Sequence, residues 1–152
     1  MGRSINEVRQ FIVFKLDEQL YGVDIKNVQI IEKEKPITRV PKAPSCINGV
    51  INLRGEIIPV ICIRELFELS FMETTDNSRI IIVKVDESMI GIIVDEVKEV
   101  IDLESDNIEG VQNIQGRIKA SHILGVGKLT SEEGIITLLN LKNIVEEAFE
   151  IQ

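Results

Sequence analysis

Apolar residues in this chain fall in short β-branched runs broken by polar pairs, a pattern of strands and turns rather than of helices. Phe11-Ile-Val-Phe14 leads through Lys15-Leu-Asp17-Glu18 to Leu20-Tyr-Gly22-Val23. Much later, Ile80-Ile-Ile-Val83 leads through Lys84-Val-Asp86-Glu87 to Met89-Ile-Gly91-Ile92. Residues 11–31 therefore align with 80–100 at a constant offset, and Val28 and Ile31 continue onto Val97 and Val100. Each copy reads as strand, polar turn and returning strand, hence a β-hairpin. Gly22 and Gly91 fall inside the return strands, where glycine marks a bulge or a close backbone approach. With Gly49 and Gly55 they are expected to be the structural turn glycines of the chain.

A second match follows the first. Gly49-Val-Ile-Asn-Leu53 resembles Gly125-Val-Gly-Lys-Leu129, and 57–66 resembles 135–144 after an insertion. Two halves, about 10–70 and 79–149, thus carry the same elements in the same order, with polar Glu73-Thr-Thr-Asp-Asn-Ser78 as a linker. A half of that size with four or five strands removes its sheet edges most simply by closing into a small barrel. The expected fold is mainly β: two small barrels packed across a large apolar junction, because neither half has many aromatics for its own core. A duplicated chain is also free to exchange strands between its halves.

Helical patterning is sparse. Leu141, Ile144, Val145, Ala148 and Phe149 form an amphipathic stripe with Asn140 as N-cap, predicting a short C-terminal helix. Ile63-Arg-Glu-Leu66-Phe67 suits one helical turn. Asp24 is placed to cap a helical segment through Glu34, with Ile25, Val28 and Ile31 on one face. Its counterpart, 94–103, fits neither period.

Composition narrows the function. The 152 residues are 44% hydrophobic, rich in Ile, Val and Leu, without Trp and with one Tyr. A net charge of −8 and the lack of basic runs argue against nucleic acid as a partner. The longest apolar run, 57–63, contains Pro59 and is far shorter than the ~20 residues of a membrane helix, so no direct membrane insertion is expected. The N-terminal residues lack the apolar core of a signal peptide, and Asn6 breaks the myristoylation pattern. Cys46 and Cys62 form no short-spaced pair and read as small buried hydrophobes in a reducing cytosol.

Reactive constellations are missing. His122 is the sole histidine and has no ligand-spaced neighbour, which suits a structural or surface role. Gly125-Val-Gly-Lys128 departs from the phosphate-loop spacing and precedes a strand. Asp102, Glu104, Asp106 and Glu109 lack the glycine and closing Glu of a calcium loop and read as a solvated acidic face. No catalytic residue, metal or cofactor is expected, and a binding module is the better reading. A small barrel that binds an unrelated peptide or small ligand is the alternative.

Arg54 is the candidate binding residue. It stands between two β-branched runs in Asn52-Leu-Arg54-Gly55-Glu56, at the tip of a hairpin whose Gly55 supplies φ > 0. A tip has no packing need for arginine, whose planar five-donor fork suits partner recognition. A solvated turn charge and a structural role, reaching back to Glu56 or Asp95, are the other readings.

With the repeat and this turn in place, the chain resembles the CheW family of bacterial chemotaxis coupling proteins, from about Gln10 to Val145. The resemblance rests on Tyr21-Gly-Val-Asp-Ile-Lys-Asn-Val-Gln29, Ile37-Thr-Arg-Val-Pro41, Ile47-Asn-Gly-Val-Ile-Asn-Leu-Arg-Gly55, Gly91-Ile-Ile-Val-Asp-Glu-Val97 and Gly125-Val-Gly-Lys-Leu129. It implies a single CheW-like domain over 1–152, built from two SH3-like five-stranded β-barrels. It also implies a cytoplasmic scaffold, recruited to membrane receptor arrays. Its implied partners are the regulatory domain of the histidine kinase CheA and the cytoplasmic tips of chemoreceptors, the methyl-accepting chemotaxis proteins. That regulatory domain shares the fold, so pairing would run barrel end to barrel end. Arg54 matches the family's receptor-coupling arginine, and Val28 an apolar position of the receptor-facing segment. Members often read Val-Gln-Glu-Ile where this chain has Val28-Gln-Ile-Ile31, which leaves Glu32 or Glu34 to supply a carboxylate. His122 replaces a common aromatic, and Ile114 in the loop 111–116 is the apolar anchor for the kinase. A receptor tip is a helical hairpin, so Val28 and Val97, with Ile31 and Val94 nearby, are expected to line an apolar groove where the halves meet. The same spacings also suit ordinary core.

Overall fold

The computed structural model describes residues 7–33, 35–43, 46–110, 119–128 and 134–150. In chain order they form β1 (Val8–Leu16), β2 (Gln19–Asp24), β3 (Val28–Lys33), β4 (Ile47–Leu53), β5 (Glu56–Ile61) and α1 (Ile63–Leu66). Then come β6 (Arg79–Val85), β7 (Ser88–Val94), β8 (Glu96–Glu104), β9 (Ile108–Glu109), β10 (Ile123–Lys128), β11 (Ile135–Leu139) and α2 (Leu141–Glu150). The two repeated segments are antiparallel hairpins with the same register. Val13 faces Gly22 as Ile82 faces Gly91, and Phe14 faces Tyr21 as Val83 faces Ile90.

Two sheets result, ordered β8-β1-β2-β11-β10-β9 and β3-β6-β7-β5-β4. Each takes its hairpin from one half of the sequence and its other strands from the other half. The grafted hairpins join their hosts by parallel pairs, β2 on β11 and β7 on β5. Neither ladder closes into the expected five-stranded barrel. The end strands of each order are consecutive in the chain, and what joins them bends instead of pairing throughout. Between β8 and β9 lies a 3₁₀ turn, Ser105–Asn107. Between β3 and β4, among the described residues, only Thr38 forms a bridge, to Val50.

Close packing by neighbouring strands explains two glycines. A Cβ on Gly22 would lie 3.0 Å from Leu138 Cδ2, and one on Gly91 would lie 3.1 Å from Ile80 Cγ2 and 3.3 Å from Val60 Cγ2. These positions are close approaches inside strands and not turns. Gly49 is likewise within β4, where a Cβ would overlap the Thr38 carbonyl. Of the four expected turn glycines only Gly55, at φ 87°, occupies one.

Continuous apolar runs occur because β1 and β6 are buried on both faces. Phe11 and Val13 enter a cluster with Leu103, Ile136 and Leu138, while Ile12, Phe14 and Leu16 face a central cluster. Ile80 and Ile82 join Ile51, Ile58 and Val60, while Ile81, Val83 and Val85 face the same central cluster. Strand alternation thus divides each run between its own sheet's core and a shared junction. Each fully buried Ile or Phe contributes about 1.5–3 kcal/mol of transfer free energy.

The helical reading of 24–34 is overturned. Asp24 Oδ1 does accept from the Lys26 N–H, at 2.9 Å, but it caps only a 3₁₀ turn, Ile25–Asn27. From Val28 the chain pairs with β6, because β-branched residues gain more from a ladder than from an isolated helical turn. The undecided segment 94–103 becomes β8 through its pairing with β1. Helix α2 follows its pattern: the Asn143 N–H donates to Asn140 Oδ1 at 3.1 Å, and Leu141, Ile144 and Ala148 are buried. Phe149, the last residue of the stripe, is 44% exposed.

Candidate functional site

Three groups of side chains stand out. The first is the β4–β5 tip. Arg54 and Gly55 both take positive φ, 56° and 87°, which makes a two-residue hairpin turn matched to strand twist. The Gly55 N–H donates to Asn52 Oδ1 at 3.0 Å and fixes the turn. Arg54 is exposed and makes no ion pair or side-chain hydrogen bond among the described residues.

The second group lies on the edge strands of the two sheets, β3 and β8. Val28 and Val97 are half-buried and pack on the same central cluster. Their neighbours three residues on, Ile31 and Val100, are 38% and 50% exposed. The repeat therefore presents the same pair twice, a half-buried valine followed by an exposed aliphatic. Val94 is different: it has no exposed surface and belongs to the central cluster. Its strand is interior to its sheet, which accounts for its full burial. Ile30 turns away to the core of its own sheet. Glu32 is half-buried beside Lys35, 3.9 Å away, and Glu34 and Ile114 lie outside the described residues.

The third group centres on Arg64 of α1. Its Nη1 donates to Asp95 Oδ1 and Oδ2 at 3.1 and 2.8 Å, Nη2 to Asp17 Oδ1 at 2.7 Å, and Nε to the Ser70 carbonyl at 2.9 Å. The Asp17 N–H in turn donates to Asp95 Oδ2 at 2.8 Å. Burial works against the charge on Arg64, but the two carboxylates outweigh it and raise the guanidinium pKa. Asp95 is thus engaged by Arg64 and not by Arg54. Sequence reading missed this arginine, although its place beside Glu65 in the mostly apolar Ile61-Cys-Ile-Arg-Glu-Leu-Phe67 was a signal. Arg64 and Asp95 also line a groove of about 560 Å³ with Cys62, Leu69, Phe71 and Met72. Of the expected receptor-binding residues only the buried Val94 touches it.

His122 takes a packing position. It is buried, stacks on Phe67 at 6.2 Å, and ends a ring series that runs through Tyr21 to Phe14. Its Nε2 lies 2.9 Å from Glu147 Oε1, and Lys119 Nζ holds the other carboxylate oxygen. Nδ1 is buried and has no partner among the described residues, so the tautomer with the proton on Nε2 satisfies Glu147 and leaves only an acceptor unpaired there. Cys46 and Cys62, distant in sequence, lie opposite one another, with the Cys62 N–H on the Cys46 carbonyl at 2.7 Å. Cys46 is buried, which pushes its thiol pKa up, while Cys62 is half-buried. Among the described residues no cluster of three His, Cys, Asp or Glu has the placement to hold a metal, and no helix is long and apolar enough to cross a membrane.

Comparison with known proteins decides the family. The CheW-like domain model matches residues 10–149. The chain belongs to the CheW-like family. The chemotaxis protein CheW of Bacillus subtilis (strain 168) is 39% identical over 109 residues, 72% of this chain and 70% of that protein. CheW of Treponema pallidum (strain Nichols) is 34% identical over 80% of this chain and 74% of its own length. Among solved structures, the scaffolding protein TtCheW of Thermoanaerobacter tengcongensis superposes with a TM-score of 0.81 at 35% identity. That match covers 93% of this chain and 90% of TtCheW. Within the CheW-like family the role of this chain is that of a chemotaxis coupling scaffold. The alternative of a barrel for an unrelated peptide or small ligand has no support.

Proposed function

We propose that the chain is a non-enzymatic adaptor that joins the CheA regulatory domain to the cytoplasmic tips of methyl-accepting chemotaxis proteins, and that it is recruited from the cytoplasm to membrane receptor arrays. The observation that carries the reading is the repeated edge: Val28 on β3 and Val97 on β8 pack on one shared core, and each is followed by an exposed aliphatic, Ile31 or Val100. A helical hairpin docks by laying an apolar stripe on such a surface. The guanidinium of Arg54, exposed and unpaired among the described residues, adds a bidentate donor for a receptor carboxylate or carbonyl. Ile114, which lies outside the described residues, is the proposed anchor for the kinase domain. The test is calorimetric titration of a receptor-tip hairpin and of the kinase regulatory domain into wild type and Val28→Glu. The variant is expected to lose receptor affinity and keep kinase affinity. Unchanged receptor binding, or equal loss of both partners with a lowered melting temperature, refutes the assignment.

A further inference from the structure

We infer that Arg64 is a positioning residue that sets the angle between the two sheets, and through it the spacing of the apolar pairs on β3 and β8. The inference rests on the reading of those pairs as the receptor surface. Its observation is where the guanidinium's partners lie in the chain. Arg64 follows β5 and so belongs to the sheet that carries β3. Asp17 is the tip of the β1–β2 hairpin in the other sheet. Asp95 is the residue at which the chain leaves β7 in one sheet and enters β8 in the other. One side chain, 10% exposed, therefore grips both sheets and the crossing between them. The grip is reinforced at the crossing, where the Asp95 N–H donates to the Lys15 carbonyl at 3.1 Å.

The lever is short. Val97 and Val100 lie two and five residues past Asp95, roughly 7 and 17 Å along an extended strand. A small tilt of β8 at Asp95 moves them relative to β3. Only a planar fork reaches two carboxylates and a carbonyl at once; a lysine ammonium keeps the charge but not that geometry. Buried ion networks contribute little net stability against apolar packing, and their best-attested use is to fix one arrangement among several. The central apolar cluster can hold the sheets together, and Arg64 selects the angle at which it does so.

The experiment uses the full chain with spin labels at Lys33→Cys and Glu99→Cys, both exposed, in a Cys46→Ala, Cys62→Ala background. Pulsed dipolar spectroscopy gives the β3–β8 distance distribution. Titrations with the receptor-tip hairpin and the kinase regulatory domain give the two affinities. Arg64→Lys is expected to shift or broaden the distance distribution and weaken receptor binding about tenfold, with kinase binding held within about twofold. Asp17→Asn, which removes one charge and leaves the Asp95 pair, is expected to act in the same direction and less strongly. Val28→Glu is expected to weaken receptor binding with the distances unchanged. An unchanged distribution in Arg64→Lys overturns the inference, as does equal loss of both partners. If Val28→Glu leaves receptor affinity intact, the receptor surface is wrong, and the distance measurement still decides whether Arg64 sets the angle.

Discussion

Among the described residues Arg54 makes no ion pair or side-chain hydrogen bond that would explain it. A left-handed backbone is unusual for a non-glycine residue, and glycine, Asn or Asp would serve this turn better. Arg54→Ala is therefore expected to change stability by no more than ~0.5 kcal/mol. Its receptor-tip affinity is expected to fall by about 2 kcal/mol, the size of a contact-centre residue. Melting temperature and titration on the same preparation check both halves of the claim, and a large thermal loss with unchanged affinity would reverse it. Arg54→Lys should recover only part of the affinity, since a point charge does not replace the fork. Gly91 is the opposite case. Its missing Cβ matters to packing alone, and Gly91→Ala is expected to cost about 1–3 kcal/mol, as overpacking does. Denaturant unfolding measures it. Arg54 was legible in the sequence because turn chemistry is local. Arg64 was not, because Asp17 and Asp95 become its partners only after a hairpin has crossed to the other sheet.

Among the elements, α2 shows what a local pattern can and cannot tell. Its stripe and cap were readable because both lie within ten residues. Its attachment was not, since Lys119, Ser121 and His122 arrive from a distant turn. That attachment makes a pH prediction. The Glu147 carboxyl is held below its ordinary value, first by the Lys119 hydrogen bond and further by His122, with partial burial opposing them. A carboxylate depressed in the folded state adds stability that is fully present above the unfolded value of ~4.3. That stability is lost as pH falls through the folded value. Asp24 acts with the same sign: burial opposes, but Arg9 at 2.8 Å and the Lys26 N–H prevail. Glu147→Gln is expected to flatten the acid limb of stability against pH, measured by urea unfolding between about pH 3 and 6, and to leave the neutral region less affected than the loss of Asn140, a cap worth ~1 kcal/mol. An acid limb as steep as wild type would show that the contact does not matter in solution. The helical reading of 24–34 failed for the complementary reason. A local cap was present, but the ladder with β6, far away in sequence, decided the segment beyond Asn27.

At the scale of the molecule the sequence repeat showed two like hairpins and an apolar junction, but not which strands share a sheet. Offsets in sequence carry no information about which copy of a strand a hairpin pairs with. The structure joins the β1–β2 hairpin through β2 to β11, and the β6–β7 hairpin through β7 to β5, so the two halves hold one another's hairpins. Neither half can then build its own sheet. A fragment ending at Thr74 keeps β3, β4 and β5 but lacks the β6–β7 hairpin that joins β3 to β5, and its β1–β2 hairpin loses β8 and β11. Each fragment also exposes its share of the central cluster, to which both halves contribute. Fragments 1–74 and 75–152, expressed apart, are expected to remain largely unfolded. Mixed from denaturant, they are expected to regain native strand content and the proposed receptor surface, because the break falls in an exposed polar segment that belongs to no strand. Circular dichroism and amide dispersion in NMR spectra check this on each fragment and on the mixture. If either fragment alone gave a dispersed, cooperative spectrum, the halves would be independent units, and the exchange of hairpins would be an arrangement of convenience instead of the condition for folding.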